Sequence, residues 1–448
     1  MQKQIIIGLA ICLTSSAFCA DKSDTTAPMT LKDCMEYAVS NSTKIRIRQA
    51  AVGDAQIARR DAILCALTPQ ANFNTAVYYN FGRSIDQQTN TYFNITQFHN
   101  DYSINAGIDL FNGFSAVNNM RISKTALAIA QTEQKQAEAD ICLAVMQAYY
   151  NVLYYSKLQQ IFSKQIETAK ITLSKMKRQE ELGQKSHADV IQLEAELADR
   201  EYDLANTRQI YNEQITTLSD LIFFPVNEQL VIDTVPPTLS ISELSEQAVI
   251  DFALNNNNNL LVTSMNVDNA RRELSTARWQ MLPKLSAYAG WSTKYFKYKN
   301  TEAEEFTSQL KNHRGEYIEL ALTIPLFDRL KKYSTVSQKK NALVRATAEF
   351  EQKTRETESE VRKAFQECES ALAAYIQAEK KTEIQQEAYQ LNMKRMEQGL
   401  ISGLEYQTAV NNYLKAKSDN LNSLFKFLIK QSVLRYYGGE EYIEQIKD

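Results

Sequence analysis

Ser186, His187 and Asp189 bring the three residue types of a hydrolytic triad within four positions. Nucleophile, base and orienting acid must converge from separate parts of a fold, and such near neighbours cannot align in that order. His187 therefore reads as an exposed residue of a turn. The other histidines, His99 and His313, fall in polar segments without a set of metal ligands beside them. Past the N-terminus, Cys34, Cys65, Cys142 and Cys368 are scattered with no paired spacing and read as small packing residues. A phosphate-binding glycine loop and a dinucleotide fingerprint are both missing from the sequence. Catalytic, cofactor-binding and metal-binding residues are accordingly expected to be none, and the chain reads as a non-enzyme.

The elements that would have to position any site occur twice. Leu110-Phe111-Asn112 returns as Leu326-Phe327-Asp328, Val145 to Tyr149 as Val361 to Phe365, and Ser186 as Ser402, each 216 positions on. Ala62, Leu67 and Pro69 are echoed by Ala277, Leu282 and Pro283 with the spacing slipped slightly. A shared offset over this much chain marks a two-fold internal repeat of large units.

Only 12 Gly and 7 Pro occur in 448 residues, and residues 114–182, 184–224, 326–398 and 404–437 contain neither. At a rise of 1.5 Å per residue, the run 114–182 makes a helix about 100 Å long, which suits a hollow or fibrous body rather than a compact one. The net charge of −3, with Lys and Arg dispersed beside Glu, argues against a nucleic-acid partner. Lys3 followed by an apolar run over 5–13 and small residues reads as an export signal over 1–20. The run is too short to span a bilayer. Lipid attachment at Cys19 stays open, with the bulky Phe18 arguing against it.

Within each repeat two segments change period from 3.6 to 2. They are 70–82 and 101–112 in the first, 284–296 and 315–327 in the second. Phe73, Val77, Tyr79, Ile104, Ile108, Leu285, Trp291, Leu320 and Leu322 lie on the apolar faces, while Asn, Asp, Lys and Glu lie on the other. The length suits a tilted transmembrane strand, and aromatic residues gather near the ends as an interfacial girdle requires. The alternative is a pair of half-buried hairpins packed on helices in a soluble scaffold. Four strands cannot close a barrel around a pore, and lipid tolerates no open edge, so identical copies must complete the wall. The connecting segments 83–100 and 297–314 are expected as polar outer loops carrying His99 and His313.

Heptad spacing of Ile141, Ala148, Tyr155, Phe162, Ala169 and Met176, and of Val190, Leu197, Leu204, Tyr211 and Leu218, reads as a coiled-coil hairpin turning near Gly183. A second hairpin turns near Gly399 and Gly403. Helices over 31–67 and 242–282 would lead into the strand pairs. The expected division is a first repeat over 21–224 with its hairpin at 114–224, a linker at 225–241, a second repeat over 242–437 with its hairpin at 328–437, and a tail at 438–448. The fold class is mainly α with a transmembrane β-barrel portion.

This duplicated order of helix, strand pair, long helix, turn and helix, with Leu-Phe-Asn-Gly at 110–113 and Leu-Phe-Asp at 326–328, resembles the TolC-type outer-membrane efflux protein family. The resemblance implies a homotrimer with a 12-stranded barrel in the outer membrane and a helical tunnel across the periplasm. It further implies a periplasmic adaptor, an inner-membrane pump as energy source, and lipid around the barrel. Residues 225–241 and 438–448 would belt the tunnel. By the same resemblance Leu182, Gly183, Gln184, Ser186, Gln398, Gly399, Leu400 and Ser402 occupy adaptor-facing tips. Asp189 and Glu405 match acidic positions near the closed end, where a ring of carboxylates would favour cations. Both also suit a first helical turn, where a carboxylate offsets the N-terminal dipole. Ile401 stands where some members carry a basic gate residue, so the closing contacts differ here. The implied function is the outer channel of a tripartite pump; the duct of a type I protein-secretion system is the alternative.

Overall fold

The computed structural model describes residues 28–85, 90–234, 245–299 and 302–446. The export signal, Cys19 and the second half of the linker lie outside these residues. The first repeat opens with α1 (Leu31–Asn41) and α2 (Thr43–Leu67), passes through β1 (Gln70–Ile85) and β2 (Tyr92–Phe111), and continues as α3 (Ser115–Glu181) and α4 (His187–Ile222). The second repeat has α5 (Glu246–Asn256), α6 (Asn258–Trp279), β3 (Lys284–Tyr298), α7 (Phe306–Asn312), β4 (Gly315–Thr323), α8 (Lys331–Glu397) and α9 (Gly403–Tyr437). Both α3 and α8 have 67 residues, about 100 Å of helix. None of the described helices is long and apolar enough to cross a membrane.

The leading helices are not single rods. They break at Ser42 and at Asn257, residues that favour caps over helix interiors, and the Asn257 side chain accepts from the Leu260 N–H at 3.1 Å. Each long helix is started by the residue closing the strand pair. Asn112 Oδ1 accepts from the Ala116 N–H at 3.1 Å, and Asp328 Oδ2 accepts from the Lys332 N–H at 2.9 Å. The repeated Leu-Phe-Asn/Asp motif is thus a helix cap that satisfies donors left free at the first turn.

The strands form one antiparallel sheet in the order β1-β2-β3-β4. Strands β1 and β2 run beyond the expected 70–82 and 101–112, so most of 83–100 is ladder rather than loop. His99 is a β2 residue, its ring stacked on Tyr78 at 4.8 Å. Conversely, β4 stops at Thr323 rather than 327, and segment 297–314 holds α7. His313 caps the end of α7 and stacks on Phe296 at 5.2 Å. Where β4 is absent, α7 covers the upper edge of β3. There the Gln309 amide accepts from the Phe296 N–H at 3.1 Å and donates to its carbonyl at 3.1 Å, as a neighbouring strand would.

Three clusters hold the helices. The largest joins α1, the middle of α3, the end of α4 and α9 through Met35, Val145, Leu153, Leu218 and Phe425. Leu230 and Ile232 of the linker and Tyr442 of the tail belong to it. The chain start is tied in by Met29 N–H to the Val231 carbonyl at 2.8 Å and Asp233 N–H to the Met29 carbonyl at 2.9 Å. A second cluster, with Val249, Val361 and Phe427, packs α5 on α8 and α9. The third fills the far end of the hairpins with Met176, Val190, Met396, Tyr406 and Val410. Cys34, Cys142 and Cys368 are buried in the first two; Cys65 is exposed.

Candidate functional site: a two-faced sheet and two helical tips

The pairing register sorts the sheet into two chemically distinct faces. Phe73 stands opposite Ile104 and Ile104 opposite Trp291; Ile108 lies opposite Ala287 and Ala287 opposite Leu320; Leu285 lies opposite Leu322. Paired residues share a face, so these side chains line one wall together with Val77 and Tyr79. Phe73, Val77, Tyr79, Ile104, Leu320 and Leu322 are exposed on it, while Ile108, Leu285 and Trp291 are half-buried. Ile318 is 88% exposed. Covering one such residue is worth about 1.5–3 kcal/mol, so a bare wall of this kind must meet something apolar.

The opposite face carries Asn72, Asn74, Asn80, His99, Asp101, Ser103, Asn105, Lys294 and Glu319. Tyr78 donates to Asp101 Oδ2 at 2.9 Å, and Tyr317 donates to Asn105 Oδ1 at 3.2 Å. A Cβ on Gly290 would lie 2.2 Å from the Tyr317 ring, so glycine there lets the ring lie flat across the strand. Neither outer edge, on β1 or on β4, has a partner strand among the described residues.

At the other end of the molecule the helix pairs turn through matching motifs. Gly183 and Gly399 have φ of +74° and +76°. The Gly183 N–H donates to the Glu180 carbonyl and the Gln184 N–H to that of Gln179; Gly399 and Leu400 repeat this with Met396 and Arg395. These are Schellman closures, which need the left-handed conformation that glycine adopts without strain. Leu182, Gly183, Gln184, Ser186, Gln398, Gly399, Leu400 and Ser402 are all exposed there. Lys185 bridges the two tips, its Nζ donating to the Met396 carbonyl at 3.2 Å.

Asp189 and Glu405 sit in the first turns of α4 and α9. Ser186 Oγ donates to Asp189 Oδ2 at 2.8 Å, and the Ser402 N–H donates to Glu405 Oε2 at 3.2 Å in a reciprocal capping box. His187 turns away from both, its Nδ1 lying 2.7 Å from Glu180 Oε1. No nucleophile–base pair forms at Ser186.

Sequence reasoning missed a buried polar group between the tip helices. Glu196 is 2% exposed, and neither carboxyl oxygen has a hydrogen-bond partner among the described residues. One turn along, Arg200 donates to Asp203 Oδ2 at 3.1 Å and to Asn411 Oδ1 on α9. Burial raises the Glu196 pKa, opposed by the positive charge of Arg200. A Glu and an Arg four residues apart read in sequence as a solvated surface pair, which hid them.

A duplicated strand pair with one apolar wall, joined to two coiled-coil hairpins whose long arms measure about 100 Å, suits a membrane-anchored channel protomer. The model of a family described as outer membrane efflux protein matches residues 48–222 and 249–437. The chain belongs to that family, whose members are channels of the outer membrane reaching into the periplasm. Alkaline protease secretion protein AprF of Pseudomonas aeruginosa is 21% identical over 422 residues, covering 91% of this chain and 84% of its own. The fold matches the outer membrane protein VceC of Vibrio cholerae with a TM-score of 0.75 at 14% identity, covering 91% of this chain and 96% of that one. It matches the CmeC outer membrane channel of Campylobacter jejuni with a TM-score of 0.75 at 15% identity, covering 93% and 87%.

Proposed function

We propose that three copies of this chain form the outer channel of a tripartite efflux pump, carrying small molecules from the periplasm to the exterior. One observation carries the reading: a four-stranded sheet with an apolar wall, a polar wall and two edges that no strand among the described residues pairs. Three such sheets make 12 strands, enough to surround a pore and leave no edge in lipid. The polar wall then faces water inside, and Phe73, Val77, Tyr79, Ile104, Ile108, Leu285, Trp291, Leu320 and Leu322 face acyl chains. The hairpins continue the tube, and their exposed tips at 182–186 and 398–402 dock a periplasmic adaptor that couples to an inner-membrane pump. Asp189 and Glu405 lie one turn inside the tips, where a three-fold ring of carboxylates favours cations while each also caps its helix. The repeats 21–224 and 242–437 each supply one strand pair and one hairpin, with the linker and the tail forming the belt.

A type I secretion duct is the second reading, favoured by the similarity to AprF along 91% of this chain. Cargo is chosen largely by the inner-membrane partner. Deleting the gene and comparing drug susceptibility with the secretome separates the two. Sensitisation to small toxic compounds with unchanged secreted proteins supports efflux; the reverse result assigns secretion.

A further inference from the structure

At the loop end of the apolar wall, Tyr79, Phe81, Phe98, Tyr295 and Lys297 line an open cleft of about 670 Å³. The aromatic rings touch in series: Tyr79 and Phe98 have centroids 5.2 Å apart, Phe98 and Tyr295 6.1 Å, and Tyr295 and Phe306 of α7 5.2 Å. Lys297 stands opposite Phe98 in the register and so projects from the same wall. Lys299 follows at the rim, its N–H donating to the Thr96 carbonyl at 2.8 Å. Both lysines are exposed, and among the described residues neither ammonium has an ion-pair partner. The Glu304 carboxylate is turned to α7, accepting from Ser308 and, at 2.8 Å, from Asn312.

Height decides what these cations meet. Twelve residues separate Lys297 from Leu285, about 30 Å along the bilayer normal for a strand tilted by about 40°. The apolar band of such a barrel is about 25 Å tall. If Leu285 marks its inner boundary, Lys297 and Lys299 emerge among the outer headgroups. A cation on the lipid-facing side would be unfavourable in hydrocarbon, and at headgroup level it is matched by phosphate. The aromatic rings beneath offer flat faces for sugar rings and acyl stems.

We propose that this cleft binds a phosphorylated glycolipid of the outer leaflet, its phosphate held by Lys297 and Lys299 and its sugar seated on Phe98 and Tyr295. The proposal rests on the barrel reading above, which orients the wall toward lipid. The test uses the full-length protein, delipidated and reconstituted in phosphatidylcholine nanodiscs, with native mass spectrometry reading bound lipid. Diphosphorylated lipid A is titrated against phosphatidylcholine and inorganic phosphate. Lipid A is expected to bind preferentially, with roughly tenfold loss in the Lys297→Gln/Lys299→Gln double variant and a smaller loss in Phe98→Ala. Equal retention of lipid A by wild type and double variant, or no preference over phosphatidylcholine, overturns the site while leaving the barrel intact. Inorganic phosphate binding as well as lipid A overturns the lipid assignment. Failure to insert in the nanodisc sinks the barrel reading itself, and this proposal with it.

Discussion

Glu196 is the side chain whose burial works against the fold. The charged groups acting on it are Arg200 and Asp199 on its own helix, and Tyr406 of α9 lies near enough to feel its charge. Its folded pKa is raised above the ordinary 4.5, so the folded protein holds this proton more tightly than the unfolded chain. Its effect on stability is therefore most favourable below the unfolded value and worsens as pH rises from there through the raised folded value. Glu196→Gln should stabilise the hairpin end by about 1–3 kcal/mol at pH 7.5. Thermal midpoints of wild type and variant should converge near pH 4; a lower midpoint for the variant at pH 7.5 refutes the account. The tip glycines make a second residue-level case. Gly183→Val or Gly399→Val forces a β-branched residue to positive φ, at a cost of about 1–3 kcal/mol. Efflux should fall while trimers still assemble in the outer membrane. Unimpaired efflux in both variants would count against docking through these turns.

Among the elements, α7 is the one whose stability is not its own. Seven residues cannot hold a helix in water, and α7 stands on the Gln309 amide at Phe296 and on Thr293 Oγ1 donating to the Leu310 carbonyl. Gln309→Ala should leave the Phe296 N–H and carbonyl unpaired at about 1–3 kcal/mol. Limited proteolysis should then cut within residues 302–314 of membrane-embedded protein, and resistance equal to wild type would show that the amide pairing is dispensable. The same element shows why sequence reading stopped where it did. Inside the apolar band the two sides of a strand meet different solvents, so Phe73, Val77 and Tyr79 alternate cleanly with Asn72, Asn74 and Asn80. The β2 run Thr96-Gln97-Phe98-His99-Asn100, paired with Val77 to Phe81, carries no such period, because an aromatic ring (His99) stands on the polar wall and an amide (Asn100) on the apolar one. The tip turns were legible because glycine and a serine cap are dictated by local backbone geometry. Glu196 and Gln309 were not, because Glu196 is buried only by packing between helices and Gln309 pairs with a strand edge that β4 leaves open.

For the molecule as a whole, everything depends on which solvent each face of the sheet meets, and adjacent β4 residues can decide it. Leu320 is 69% exposed on the apolar wall, whereas Glu319 lies opposite Tyr288 on the polar one. In a closed barrel a lysine facing acyl chains costs up to about 2–4 kcal/mol, less toward the edge of the apolar band, and three-fold symmetry imposes that cost once per subunit. Leu320→Lys should therefore deplete assembled trimer in outer-membrane fractions, measured as the oligomer surviving mild detergent. Glu319→Lys should assemble normally and shift single-channel selectivity toward anions, since its charge faces the water-filled interior. A soluble sheet packed on a protein partner predicts a different pattern: extraction by high salt without detergent, and no asymmetry rooted in bilayer depth. If Leu320→Lys assembles as well as Glu319→Lys, the apolar wall is not facing lipid.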